Sequence, residues 1–162
     1  MRVMLKYIFF SLLLLLLITG CNSSSNVNED LFKFKDSYVG DNSVVENIVR
    51  QLPNGEYVEG FELETKEAPY GMILEYGDIE ATMIDDAIKE TAIYNATFIF
   101  ALVKNAEWIT FEFGKQTHTV TKKKLQGWYG KELSEFTNED NLRNLIEEYL
   151  ENENKVNQFF EK

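Results

Sequence analysis

Six consecutive residues in the middle of the chain, Phe98 to Val103, are apolar. They end a segment from about Asp86 to Lys104 that we predict to be a helix, so their apolar side chains point in every direction around the helix axis. A helix without a polar face must be covered on several sides, and six residues are far too few to span a membrane. The run therefore predicts a central core helix that packs under a sheet.

Hydrophobic periodicity before and after this helix predicts the neighbouring elements. The capping-box sequence Ser43-Val44-Val45-Glu46 opens an amphipathic helix that Pro53 and Asn54-Gly55 end. Alternation of apolar and polar residues then predicts two strand pairs, one on each side of the core helix, each closed by a turn. The predicted strands are Tyr57 to Lys66, Met72 to Tyr76, Ile109 to Phe113 and Gln116 to Thr121. The stretch from Gly77 to Asp85 is ambiguous, and we interpret it as a loop.

Two helices are predicted after the last strand. Thr121 caps a short helix that ends at Gly130, and Thr137-Asn138-Glu139-Asp140 opens a longer one. The apolar stripe of the longer helix is Leu142, Leu145, Ile146, Tyr149 and Leu150. This order of elements predicts an α+β fold from residue 30 to residue 162. We expect one domain, with a mostly antiparallel sheet of about four strands packed against helices.

The amino-terminal segment has a different organisation. Arg2 and Lys6, its only charges before Glu29, precede an apolar block from Tyr7 to Ile18. As a helix this block is about 18 Å long, which is short for a hydrocarbon core of roughly 30 Å and normal for the core of a signal peptide. The sequence Ile18-Thr19-Gly20-Cys21 follows, and then a polar run. An ordinary signal peptide or membrane helix with a chance cysteine is the alternative.

The sequence around Cys21 resembles the lipobox of bacterial lipoproteins. The resemblance implies transfer of diacylglyceryl to the Cys21 thiol and cleavage between Gly20 and Cys21. Residues 1–20 would then be a signal peptide, and residues 21–29 a lipidated cysteine with a flexible tether. Two acyl chains hold a protein stably on a membrane. We therefore expect a domain that is anchored to the extracytoplasmic face of the cell membrane.

Composition limits the partners and the chemistry. The formal net charge is −11, and removal of Arg2 and Lys6 with the signal peptide makes it −13. A chain this acidic repels nucleic acid, so no nucleic-acid partner is expected, and a cationic partner or a solvated acidic surface is favoured. Cys21 is the sole cysteine and His118 the sole histidine, which argues against disulfides and a zinc site. We expect no cofactor and no metal.

Candidate catalytic residues all have a simpler interpretation. His118 lies in a Thr-His-Thr strand context without a nucleophile motif, so we predict a surface strand residue and no catalytic role. Two acidic pairs, Asp78 with Glu80 and Asp85 with Asp86, offer oxygen ligands for calcium but do not fit a calcium-loop pattern. Solvated loop charges are the favoured interpretation. The sequence therefore predicts no catalytic residue.

Turn-associated aromatic and polar residues are the candidates for binding. They are Tyr38, Asp41, Asn42, Tyr70 and Trp128, and peripheral core packing is the alternative for the aromatic ones. The basic cluster Lys122-Lys123-Lys124 opposes the dipole of the helix that it opens. This cluster indicates a contact with anionic lipid or cell-wall polymer, or else a solvated surface.

Several short segments in the first half of the domain carry a family resemblance. They are Asp30 to Lys35, Tyr38 to Ser43, Leu52-Pro53, Gly60-Phe61 and Pro69-Tyr70-Gly71. Over roughly residues 30 to 150 the chain resembles the domain-of-unknown-function 4825 family. The resemblance implies an extracytoplasmic domain from low-GC Gram-positive bacteria, often a small lipoprotein, and sometimes appended to membrane metallopeptidases of the antibiotic-sensor type. That family has no established activity, so no catalytic role is carried over.

Two functions follow from these expectations. The first is a lipid-anchored, non-enzymatic module that binds an unknown protein, peptide or envelope ligand and is linked to envelope sensing. The alternative is a carboxylate-based hydrolase that acts on a cell-envelope polymer. A cavity that gathers carboxylates favours the hydrolase, whereas a flat and partly apolar patch without buried carboxylates favours the binding module.

Overall fold

Five helices and four strands make up the part of the chain that the structure, a computed structural model, describes: residues 30–77 and 85–161. The helices are α1 (Asn42–Gln51), α2 (Asp85–Leu102), α3 (Lys122–Tyr129), α4 (Glu139–Leu150) and α5 (Glu153–Phe160). The strands are β1 (Val58–Glu64), β2 (Gly71–Tyr76), β3 (Trp108–Phe113) and β4 (Gln116–Thr121). Short 3-10 turns lie at Leu31–Phe34, Gly55–Tyr57 and Leu133–Glu135. The predicted α+β class is confirmed.

The four strands form one sheet in the order β1-β2-β3-β4. The two outer pairs are antiparallel hairpins, whereas β2 and β3 run parallel at the centre. Parallel neighbours require a crossover connection, and the segment that carries α2 provides it. The sheet is therefore mostly antiparallel, as predicted, with one parallel pairing that results from the position of the core helix in the chain.

Helix α2 is the centre of the core. It contacts each of the other four helices as well as strands β3 and β4, which explains why its second half has no polar face. Phe98, Phe100 and Leu102 are completely buried. From the sheet, Leu74 of β2 and Phe111 of β3 are equally inaccessible to solvent. The prediction of a covered central helix is confirmed.

Helix ends follow local side-chain chemistry with one exception. Thr121 caps α3 by accepting the Lys124 N–H at 3.3 Å, and α3 ends at Gly130, which has a φ of 62°. The exception is α1, for which we predicted Ser43 as the cap. The helix begins at Asn42, so its N-cap position is Asp41, two residues before the predicted cap. The Asp41 carboxylate accepts the Tyr38 N–H at 2.9 Å, so it closes the preceding turn and does not cap the helix.

Helix α5 was not predicted. Its sequence contains only three apolar residues, Val156, Phe159 and Phe160, which is too few for a helical stripe to be recognised. Asn152 caps it by accepting the Lys155 N–H, and its buried residues are Val156 and Phe159. Tertiary packing rather than a sequence pattern therefore stabilises this helix.

The predictions for the amino-terminal segment and for most of the loop before α2 lie outside the described residues. This applies to the signal peptide, to Gly20 and Cys21, and to residues 78–84. Within the described ranges, no helix has the length and apolar character needed to cross a membrane.

Candidate binding groove

A groove with a volume of about 700 Å³ runs beside helix α3. Four lysines and two glutamates line it, and we call it the lysine groove: Lys104, Lys122, Lys123, Lys131, Glu107 and Glu132. Its formal charge is therefore positive by two units on a chain whose formal net charge is −11. A local excess of cations on an acidic protein is the charge pattern expected of an anion-binding surface.

The local sequence of α3 brings most of the groove together. Lys122, Gln126 and Gly130 are spaced by four residues, so they follow one side of the helix. Gly130 then turns the chain with its positive φ, and the N–H of Lys131 returns to the Gln126 carbonyl at 3.2 Å. This turn places Lys131 just beyond the carboxyl end of α3, whereas Lys122 begins the helix.

Lys122 is the most enclosed cation of the groove. It is partly buried, and its Nζ donates to the backbone carbonyl of Lys104 at 2.9 Å. Burial lowers the pKa of Lys122, nearby Glu107 and Glu132 oppose that shift, and Lys35 adds to it. Lys122 is thus held at a fixed position between the loop after α2 and the start of α3.

Lys104 is exposed at the rim of the groove beside Tyr38. Its Nζ lies 4.2 Å from the centroid of the Tyr38 ring, and the hydrogen bond to Tyr38 is the main reason that the pKa of Lys104 is raised. The Tyr38 side chain is 48 % exposed. Lys104 therefore connects the groove to the exposed Tyr38 ring.

The basic cluster of the sequence divides across the two sides of α3. Lys122 and Lys123 line the groove, whereas Lys124 does not and has its Nζ 4.8 Å from the centroid of the Phe159 ring in α5. Lys104 and Lys131 were missed by sequence reasoning. Lys131 lies beyond the turn at Gly130, outside the helix, and nothing local relates either residue to the cluster.

A family model described as Domain of unknown function (DUF4825) matches residues 31–125. The chain belongs to this family. The match covers more than half of the chain, and it includes Lys104, Lys122 and Lys123 of the lysine groove but not Lys131. No curated protein and no solved structure matches the chain.

The binding residues predicted for this DUF4825 domain are only partly gathered. Tyr38 adjoins the groove through its contact with Lys104. The Asp41 carboxylate accepts the Tyr38 N–H, and Asn42 is the first residue of α1. Tyr70 is connected to the groove through its backbone. Its carbonyl accepts the N–H of Glu107, which lines the groove, at 2.8 Å.

Trp128 lies apart from the other predicted binding residues. Its ring packs 4.9 Å from Tyr149 and 5.2 Å from Phe159, measured between ring centroids. These contacts place Trp128 among the aromatic residues between α3, α4 and α5, which is the peripheral core position that we gave as the alternative.

His118 lies on a strand, as predicted, but on the core-facing side of it. It pairs with Phe111 in the sheet register, and its ring centroid is 4.9 Å from that of Phe160. Its Nε2 is buried and has no hydrogen-bond partner among the described residues. Burial lowers the pKa of His118. Asp85 raises this pKa by a smaller amount, and Lys89 lowers it. The prediction of a surface residue was wrong because α5, which covers the ring, was not foreseen.

Only one of the two acidic pairs lies among the described residues. Asp78 and Glu80 lie outside them. Asp85 and Asp86 begin α2 and pair with Lys89 of the next turn at 2.5 and 3.6 Å. Within residues 30–77 and 85–161, no three His, Cys, Asp or Glu side chains are grouped as a metal site would need.

A second cleft beside the groove gathers carboxylates at the surface. Its volume is about 490 Å³, and Glu132, Glu135 and Glu148 line it. All three residues are exposed. A hydrolase of the carboxylate type needs one carboxyl group that burial keeps protonated near neutral pH, and exposed glutamates do not supply it.

Proposed function

We propose that this DUF4825 domain is a lipid-anchored extracytoplasmic module that binds an anionic ligand in the lysine groove. The convergence of Lys104, Lys122, Lys123 and Lys131 on one groove of an acidic chain is the observation that supports the binding role. Its family has an unknown function, so the proposal depends on this geometry and on the sequence around Cys21.

The positions of two of the lysines oppose the stability of α3. Lys122 and Lys123 stand in the first turn of α3, where positive charge opposes the helix dipole. Lys122 is also partly buried, and burial lowers its pKa although Glu107 and Glu132 act in the opposite direction. Residues that weaken the local structure are expected where binding requires them.

The acidic remainder of the protein does not prevent such binding. Salt screens exposed charges beyond about 8 Å at physiological ionic strength, so a ligand inside the groove experiences mainly the nearest lysines. A large anionic surface would also come within that distance of the surrounding carboxylates, so ligands small or thin enough to enter the groove are favoured.

The anchor rests on the lipobox resemblance of Ile18 to Cys21. The first described residues are attached firmly to the domain, since the Leu31 N–H donates to the Glu139 carboxylate at 2.8 Å. Residues 21–29 would reach about 30 Å if fully extended. Such a tether keeps the groove close to the membrane surface and to the polymers that surround it.

A comparison of charge-neutralised variants tests the binding role. Titration of the protein with pyrophosphate, followed by calorimetry, should show binding that the double variant Lys122→Gln/Lys123→Gln loses. Lys124→Gln is the matched control, because Lys124 is adjacent in sequence but packs against Phe159 outside the groove. Equal binding by both variants, or no binding by the unaltered protein, would contradict the proposal.

A further inference from the structure

We infer that the ligand of the lysine groove is an extended chain that carries phosphate groups in series, such as a phosphodiester-linked polyol polymer. This inference rests on the proposed function and names the class of its ligand. Three features of the groove support it: the separation of its cationic ends, its uncovered middle and the charge of its surroundings.

Three of the cations flank the two ends of α3, along which the groove runs. Lys122 and Lys123 begin α3, and Lys131 follows the residue that ends it. The rise from Lys122 to Gly130 is about 12 Å along the helix axis. A single phosphate ion can contact one end only, whereas a chain with successive phosphates can contact both.

The middle of the groove has no side chain over it at two positions. Gly127 and Gly130 line the groove, and a Cβ atom added at either would meet nothing within 4 Å. Glycine inside a helix is less favourable than alanine, so Gly127 does not serve the stability of α3. It leaves room for a ligand that lies along the helix between the two cationic ends.

One wall of the groove is held rigidly. The Gln126 amide nitrogen donates to the Glu132 carboxylate at 2.8 Å, and its amide oxygen accepts the Leu133 N–H at 3.2 Å. These bonds fix the segment after α3 against the helix. The groove is therefore formed before a ligand arrives, which reduces the entropic cost of binding an elongated chain.

The surrounding charge favours a thin chain over a flat membrane. Glu107 and Glu132 lie in the groove itself, and Glu135 and Glu148 line the cleft next to it. An anionic bilayer pressed against the groove would meet these carboxylates as well as the lysines. A single polymer strand in the groove meets Glu107 and Glu132 but stays clear of Glu135 and Glu148 in the cleft. Lysines bind phosphate as point charges that need no fixed ligand orientation.

The full chain in nanodiscs of zwitterionic lipid allows this inference to be tested. Its affinity is measured by calorimetry for inorganic phosphate and for a synthetic glycerol phosphodiester oligomer that spans both ends of the groove. The oligomer should bind at least about tenfold more tightly, because its second phosphate contact is intramolecular. Lys131→Gln should weaken binding of the oligomer more than binding of phosphate, and Lys124→Gln should alter neither.

A variant that fills the groove without changing charge gives the second measurement. Gly127→Leu should reduce oligomer affinity by about tenfold or more while the melting temperature stays the same or rises. Unchanged oligomer affinity in a folded Gly127→Leu protein would overturn the inference.

Other outcomes separate this inference from the function on which it rests. Equal affinity for phosphate and oligomer would overturn the polymer and leave an anion-binding module. Loss of oligomer binding in anionic nanodiscs would show that lipid headgroups fill the groove, and equally tight binding of a single-stranded oligonucleotide would show that the phosphate backbone alone is recognised. Each of these results overturns the inference. Absence of binding to every probe would overturn the proposed function as well.

Discussion

Phe100 illustrates how a single buried residue supports the domain. It is completely inaccessible at the centre of the core, and Phe100→Ala should lower the free energy of unfolding by about 3–5 kcal/mol through lost burial and the cavity left behind. Urea unfolding monitored by circular dichroism measures this. Tyr57→Ala is the control, since Tyr57 is 42 % exposed and its loss should cost less than about 1 kcal/mol. Equal unfolding midpoints for the two variants would show that the apolar run does not hold the core.

His118 should make the stability depend on pH in the weakly acidic range. Burial beneath Phe160 lowers its pKa, so the folded state binds fewer protons than the unfolded state once the pH falls below about 6.5. Stability should therefore decrease from about pH 6.5 downward until the folded pKa is passed. Two residues of α2 also act on this pKa: Asp85 raises it and Lys89 lowers it.

Unfolding free energies of the protein and of His118→Leu, measured between pH 7.5 and 5.5, test this dependence. The variant should lose the decrease that the unaltered protein shows over that interval, because leucine binds no proton. A decrease of the same size in both proteins would assign the effect to other groups.

At the scale of elements, Gly127 within α3 and Gly130 at its end should respond oppositely to substitution by alanine. Gly130 has a φ of 62°, so Gly130→Ala should destabilise the protein by about 1 kcal/mol. Gly127 lies within α3 with open space around it, so Gly127→Ala should stabilise the protein by about 0.5–1 kcal/mol. Thermal unfolding of both variants measures the difference. Shifts in the same direction would contradict the assigned helix end.

The sheet shows how one element determines the arrangement of others. Within each hairpin the strands are adjacent in sequence, so their antiparallel pairing follows from a short turn. The parallel pairing of β2 with β3 needs the crossover segment that carries α2, which packs against β3 and β4. The element that carries the most apolar sequence thus also joins the two hairpins into one sheet.

For the whole molecule, the proposed lipid anchor depends on a single residue. We expect Cys21→Ala to abolish incorporation of labelled fatty acid and to leave a longer precursor, because lipid transfer and cleavage both require the thiol. Metabolic labelling followed by gel electrophoresis measures both effects. Ser24→Ala is the control and should be labelled and processed normally. Acyl incorporation into the Cys21→Ala protein would refute the lipoprotein interpretation.

Most of the local structure could be predicted from the sequence because its causes are local. The alternation in β1 and β3, the Thr121 cap and the end of α3 at Gly130 each depend on residues a few positions apart. The sequence of the apolar run in α2 likewise predicts that the run is buried, since it has no polar face to contact water.

Only the tertiary structure decided where the chemistry lies. Lys104 precedes Lys122 by 18 residues, and the two meet because β3 and β4 form a hairpin that returns the chain to the end of α2. The ring of His118 is covered by α5. The few apolar residues of α5 form no recognisable pattern in the sequence, so this contact is seen only in the packed structure. Contacts between residues distant in sequence depend on how whole elements pack, and local periodicity carries no record of them.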